Sequence, residues 1–209
     1  AVLPVCDASK IVISTDALVE GIHFFGEEEV DLIAQKSLRT NLSDMAAMGA
    51  TPWVYTLSLS LGPVIKGTLD QWLTSFVKGL KKDQDKYDVG LVGGDTVTGS
   101  GPTMISITIL GRADPRGVIT RNGASVDDDI YVSGTIGDSA AGLKIIKEPV
   151  NYLADSDQLY LKCRYYLPNP RVKLGQALVG IASSAMDISD GLIQDLGCLL
   201  YTSPSPRDL

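Results

Sequence analysis

The 209-residue sequence predicts an α+β fold, a layer of helices on a sheet in the order β-α-β-α-β-β, followed by a second, α/β domain. Three observations predict it. Short runs alternate apolar and polar residues, and the longer runs between them repeat apolar residues at helical spacing. One turn-rich stretch, "RADPRGVITRNGAS", divides the chain near residues 112–125.

The first strand is "KIVISTD". After it, "EEEVDLIAQKSLRTNLSDMAAM" reads as one helix from about Glu28, acid-rich at its start and ended by Gly49. Leu38, Leu42 and Met45 then face a core, while Ser37, Asn41 and Asp44 form a separate polar stripe. Asp44 falls near the negative end of the helix dipole, where a carboxylate is disfavoured by ~0.3–1 kcal/mol unless a cation offsets it. In "WVYTLSLSL" the residues Tyr55, Leu57, Leu59 and Leu61 share one face of a second strand. A second helix, "TLDQWLTSFVKGLKK", carries the stripe Leu69, Trp72, Phe76 and Leu80. "DVGLVGGD" is a third strand that breaks at Gly-Gly, and "TMISITILG" a fourth with Ile105, Ile107 and Ile109 on one face. Beyond the boundary, a strand "DIYVSG" opens the second domain, followed by helices at about 138–147, 156–166 and 171–181 and by "AMDISDGLIQDL". The domains are expected at 1–115 and 116–198. Residues 199–209, "LLYTSPSPRDL", lose the helical pattern and read as a separate tail.

Composition narrows the function. A hydrophobic content of 44% supports a globular core, and a net charge of -7 without a dense Lys/Arg cluster argues against nucleic acid and anionic membranes as partners. Cys6, Cys163 and Cys198 are odd in number and widely spaced, which argues against a disulfide framework or structural zinc and makes the cytoplasm the default location. No apolar run reaches the ~18 residues of a membrane span.

Three times an apolar strand is expected to run into a carboxylate: "IVIST" into Asp16, "GLVGG" into Asp95, and "SAMDIS", which holds Asp187 and delivers Asp190. Each aspartate alone suits a turn or cap. Together with Asp44 they form an acidic set with few basic neighbours in sequence, which calls for a hard cation such as Mg²⁺. Ser14, Thr15 and Ser189 offer hydroxyls to metal or phosphate. Gly93 and Gly94 in "VGGDT" would let backbone amides approach an anion, as an ordinary turn also would. Neither a GxxxxGK[ST] loop nor a post-strand GxGxxG is present. His23 is the only histidine, either packed against Phe24 or functional. Arg121 either solvates the interdomain loop or grips a phosphate.

The motifs "STDALVEGIHF", "NLSDMAAMGA", "GLVGGDT", "TRNGA" and "DISDGLIQDL" occur in an order that resembles thiamine-monophosphate kinase. That family belongs to a fold superfamily with aminoimidazole ribonucleotide synthetase and selenophosphate synthetase. The resemblance runs from residue 1 to about Leu196. It implies a two-domain aminoimidazole ribonucleotide synthetase-like fold and transfer of the γ-phosphoryl group of ATP onto thiamine monophosphate. By family pattern Ser14, Thr15, Asp16, Asp44, Asp95, Asp187 and Asp190 would hold several Mg²⁺ ions. Gly94, Asp95, Arg121 and Ser189 would contact ATP, and His23 the thiamine substrate. No covalent nucleophile is expected, because phosphoryl transfer depends on positioning and charge neutralisation. The resemblance also implies a homodimer in which the N-domain sheets pair.

Two departures set further expectations. The family pattern puts another metal-binding Asp in a segment before Ala1. Downstream it has a His near position 198, where this chain has Cys198, and a longer second domain that supplies more of the thiamine pocket. The sequence thus reads as part of a longer protein, with weak or no turnover expected of this chain alone. The competing classes are another ATP-using member of the superfamily, a Mg²⁺-dependent phosphohydrolase, and a non-catalytic Mg²⁺/nucleotide-binding domain.

Overall fold

The computed structural model describes residues 10–62 and 67–202; Cys6 and the last seven residues of the tail lie outside them. The N-terminal part follows the predicted order: β1 (Ile11–Val19), α1 (Val30–Ala47), β2 (Thr51–Leu61), α2 (Leu69–Tyr87), β3 (Gly90–Thr98) and β4 (Met104–Arg112). The four strands form one sheet in the order β1-β4-β2-β3. β4 runs antiparallel to both neighbours, and β2 pairs with β3 in parallel through the α2 crossover.

The core lies between one face of this sheet and α1 with α2. Leu38, Leu42, Met45, Tyr55, Ile107 and Ile109 are wholly buried there, joined by Leu59, Leu61, Phe76, Leu80 and Ile105. Leu69 departs from its expected place: as the first residue of α2 it precedes the turn that contacts α1, and it is exposed. α2 begins with a reciprocal capping box between Thr68 and Gln71.

α1 ends as predicted, in a Schellman motif. Gly49, at φ 67°, donates its N–H to the Ala46 carbonyl, and Ala50 donates to that of Met45. At the other end Glu28 lies outside the helix and folds back, its carboxylate accepting from the Phe25 N–H at 2.8 Å.

Four expectations need correction. β1 does not end at Asp16 but stays paired with β4 through Val19, so Asp16 stands opposite Ile107 in mid-strand. β3 does not break at Gly-Gly. It accommodates Val92 as an extra residue, since Leu91 faces Tyr55 and Gly93 faces Thr56, and continues to Thr98. Gly94 keeps that ladder closed, because a Cβ there would stand 1.9 Å from the Leu57 carbonyl oxygen. "DIYVSG" and "SAMDIS" form no strands, and Ile130, Tyr131 and Val132 are exposed. A strand exists by pairing, and among the described residues neither segment has a ladder partner. Finally, residues 199–202 are helical, because the last helix, which begins at Leu192, extends through Thr202.

The remaining helices are α3 (Asp138–Lys147), α4 (Asp155–Tyr166), α5 (Val172–Leu178) and α6 (Leu192–Thr202). α5 is shorter than expected, since the chain leaves the helix at Val179 and turns through Gly180 at φ 78°. α5 packs closely on α1: a Cβ on Gly175 would lie 1.9 Å from the Ala46 carbonyl oxygen. Gly175→Val is therefore expected to separate α5 from α1, lowering the thermal midpoint and raising hydrogen exchange across 172–178 while α2 stays protected. Among the described residues no helix is long and apolar enough to cross a membrane, and Cys163 is a free, exposed thiol.

Candidate functional site

Three segments converge at the C-terminal end of α1. β1 places Ser14 and Asp16 on the face toward α1, in the alternation Val12, Ser14, Asp16, Leu18. α1 contributes Asp44 from its last turn, which carries no basic residue. The third segment, 183–190, is held against residues 119–123: Ile119 donates to the Met48 carbonyl, Ala185 to that of Thr120, and the Ser184 hydroxyl to that of Arg121. That segment brings Asp187.

Asp16, Asp44 and Asp187 thus lie within electrostatic reach of one another. Burial, with the charges of Asp187 and Asp16, pushes the Asp44 carboxyl up to about 6, against a hydrogen bond from Ser14 and the Arg121 charge. The Ser14 hydroxyl donates to Asp44 Oδ2 at 2.5 Å. Asp16 keeps open surface, yet desolvation and Asp187 raise its carboxyl as well, while a Thr40 hydrogen bond and nearby His23 oppose the rise. The carboxylates are three acceptors with one guanidinium beside them. The donor set is all hard oxygen and suits Mg²⁺. Among the described residues the carboxylates stand apart rather than meeting as three or more at one ligand distance.

Other expected residues are placed elsewhere. Thr15 points to the opposite sheet face, where its hydroxyl contacts Thr108 Oγ1 at 3.0 Å and donates to the Ile107 carbonyl. Asp95 also lies on that outer face, in the cross-strand row Ala17, Ser106, Ser58, Asp95. Two strands separate it from β1, about 14 Å at the usual inter-strand spacing. Asp190 accepts from Gln194 at 3.1 Å, and the Ser189 hydroxyl donates to Asp187. A concave patch lined by Trp53, Gln84, Asp88 and Gly90 holds none of these residues.

Asp195 was not among the expected site residues. It is 5% exposed, and its Oδ2 accepts from the backbone N–H groups of Ser189, Asp190 and Gly191 at 2.9–3.1 Å. Those three bonds shape the turn that follows Asp187. The available signal was an acid four residues after the Gly of "DISDGLIQD", a spacing that a simple surface charge on α6 would also give. Asp195→Ala is expected to unpair three amides and cost about 1–3 kcal/mol. Faster exchange confined to residues 187–192 would report it.

The Haemophilus influenzae thiamine-monophosphate kinase is 42% identical over 203 residues, covering 97% of this chain and 60% of the relative. The crystal structure of the thiamine-monophosphate kinase from Stenotrophomonas maltophilia K279a superposes with a TM-score of 0.84 at 37% identity, over 93% of this chain and 61% of that one. AaThiL complexed with AMPPCP and TMP gives a TM-score of 0.85 at 29% identity, with 93% and 60% covered. The chain therefore spans about 60% of the length of the relatives it matches. Its residues 1–113, the whole sheet with α1 and α2, match the family model for the N-terminal domain of AIR synthase related proteins, and the chain belongs to that family.

Proposed function

We propose that this chain carries the nucleotide- and metal-binding part of a thiamine-monophosphate kinase, which transfers the γ-phosphoryl group of ATP to thiamine monophosphate and yields thiamine diphosphate and ADP. The observation that carries the reading is the Asp16, Asp44 and Asp187 group, an excess of partly desolvated negative charge in a chain 42% identical to such a kinase over nearly its whole length.

In this reading Asp16, Asp44 and Asp187, with Ser14, hold Mg²⁺. Bound there, the ion would screen two anionic phosphates and favour in-line transfer. Arg121, beside Asp44, supplies a guanidinium to the nucleotide phosphates. Ser189 and Asp190 follow Asp187 in the turn held by Asp195, and in this reading they meet the nucleotide and a further metal. Residues 1–115 form the first domain and 116–198 part of the second, and the proposed location is the cytoplasm.

The partner is a second copy of the chain. The outer sheet face presents Thr15, Thr108 and Thr56 in one row and Ala17, Ser106 and Ser58 in the next, ending at Asp95 on the edge strand β3; the small side chains of β1, β4 and β2 suit close sheet pairing. Thr15, Gly94 and Asp95 meet their ligands from that side of the reading, since Thr15 and Asp95 point to the outer face.

The test is an assay with γ-³²P-ATP, thiamine monophosphate and Mg²⁺, alongside the Haemophilus influenzae relative as positive control. Label in thiamine diphosphate, or Mg²⁺-dependent ATP binding with slow transfer, is expected. Label in inorganic phosphate alone, or ATP binding indifferent to Mg²⁺, would overturn the reading.

A further inference from the structure

His23 is held from two sides. Its imidazole Nδ1 accepts the Val19 backbone N–H at 3.0 Å, which a ring protonated at Nδ1 could not do. The neutral ring therefore carries its proton on Nε2. The side chain is exposed, and among the described residues Nε2 has no hydrogen-bond partner. The backbone of His23 is gripped separately, for its carbonyl accepts from Lys36 Nζ of α1 at 2.8 Å and from the Tyr165 hydroxyl of α4 at 3.3 Å.

The two donors also hold each other. Lys36 Nζ lies 3.7 Å from the centroid of the Tyr165 ring, and that ring, 8% exposed, touches the rings of Phe25 and Tyr166. Below the loop Phe24 is buried in the core, and the turn closes through Gly21 N–H to the Phe24 carbonyl at 2.7 Å. A lysine turned inward onto a main-chain carbonyl and an aromatic face gives up solvation that a surface lysine keeps. From α4, 142 residues from His23 in sequence, the Tyr165 hydroxyl reaches the same carbonyl. Both are accounted for if the loop must be held in one geometry.

We propose that Lys36 and Tyr165 are positioning residues that fix His23 as a neutral Nε2–H hydrogen-bond donor to the substrate, so that docking of the helical region sets the substrate end of the site. The assignment rests on the kinase reading, in which His23 faces an aromatic heterocycle bearing a phosphate, a molecule rich in acceptors. Neither residue touches the transferred group. Their effect passes through the His23 carbonyl to the Val19–His23 bond and so to the ring.

Because His23 is the only histidine of the sequence, its ring nitrogens can be read without assignment in a ¹⁵N-histidine-labelled chain. At pH 7.5 the unaltered chain is expected to show a single Nε2–H tautomer. Lys36→Met and Tyr165→Phe are expected to average the two ring shifts, and Lys36→Arg, which keeps a donor and a cation, to restore them. Thiamine monophosphate should bind about tenfold more weakly to Lys36→Met, the cost of one oriented hydrogen bond, with MgATP affinity unchanged. Tyr165→Phe removes a single oxygen and serves if Lys36→Met fails to fold, judged by circular dichroism. Ring shifts unchanged in the variants would overturn the proposal, as would altered shifts with unaltered thiamine monophosphate affinity. If the unaltered chain binds no thiamine monophosphate, the substrate half of this proposal falls and the γ-³²P-ATP assay still decides the kinase reading, while the ring shifts decide whether Lys36 and Tyr165 fix the tautomer.

Discussion

Asp44→Asn is expected to make the metal-free chain more stable at neutral pH and to abolish its stabilisation by Mg²⁺. The carboxyl of Asp44 is pushed up to about 6 from 3.8, first by burial and then by Asp187 and Asp16, with Ser14 and Arg121 opposing. A folded-state value above the unfolded one means that folding favours the protonated form. The contribution is fully present below about pH 4 and is lost as pH rises through 6. A shift of that size corresponds to about 3 kcal/mol at 1.36 kcal/mol per unit. Solvent at this half-buried site reduces it to about 1–2 kcal/mol.

Asparagine keeps the shape and can still accept from Ser14, but it does not ionise. In metal-free buffer its melting curve should match that of the unaltered chain near pH 3.5 and lie about 2–6 °C higher near pH 7.5. Millimolar Mg²⁺ at pH 7.5 should raise the midpoint of the unaltered chain and leave the variant nearly unmoved. An Asp44→Asn chain that is less stable at every pH, with its Mg²⁺ response intact, would assign Asp44 to structure alone. The expected trade of stability against binding has a physical source: the last turn of α1 carries no cation to oppose a carboxylate at the negative end of the dipole.

The sheet and its two helices were legible because each apolar run finds its partner within the chain. Ile105, Ile107 and Ile109 alternate, and all three are buried against α1 and α2. "DIYVSG" has the same local pattern but no ladder partner among the described residues, and alternation alone does not make a strand. The site was legible as a set of residue types, and less so as a place. Alternation in β1 reads Val12 and Leu18 as core, yet the same face carries Ser14 and Asp16 toward α1, a mixed stripe that the sequence presents as a strand ending in a turn. Asp95 shows the opposite error. Its motif groups it with the other aspartates, whereas strand parity puts it on the outer face. Lys36, Tyr165 and Asp195 were not foreseen, because each acts on a backbone group that any sequence provides.

The largest loss of stability is expected far from any motif, at Arg39. Its guanidinium donates to both oxygens of Asp83 at 2.6 and 2.8 Å, and the two residues are 8% and 1% exposed. The remaining nitrogen reaches the Pro168 carbonyl at 3.2 Å, so one side chain joins α1, α2 and the segment that links α4 to α5. Arg39→Met fills most of the volume but leaves the Asp83 carboxylate buried with no cation, a change that costs about 3–5 kcal/mol when one member of a buried pair is removed. Urea midpoints should fall accordingly. Adding Asp83→Leu should recover most of the loss, because two apolar side chains remove the stranded charge. Recovery would place the cost in the unpaired carboxylate, and failure to recover would place it in the Pro168 contact. Asp44 lies five residues further along the same helix, and Tyr165 belongs to the helical segment that Arg39 ties down through Pro168. Arg39→Met should therefore weaken Mg²⁺ binding and broaden the His23 ring signals together, an effect that loss of either local contact alone would not produce.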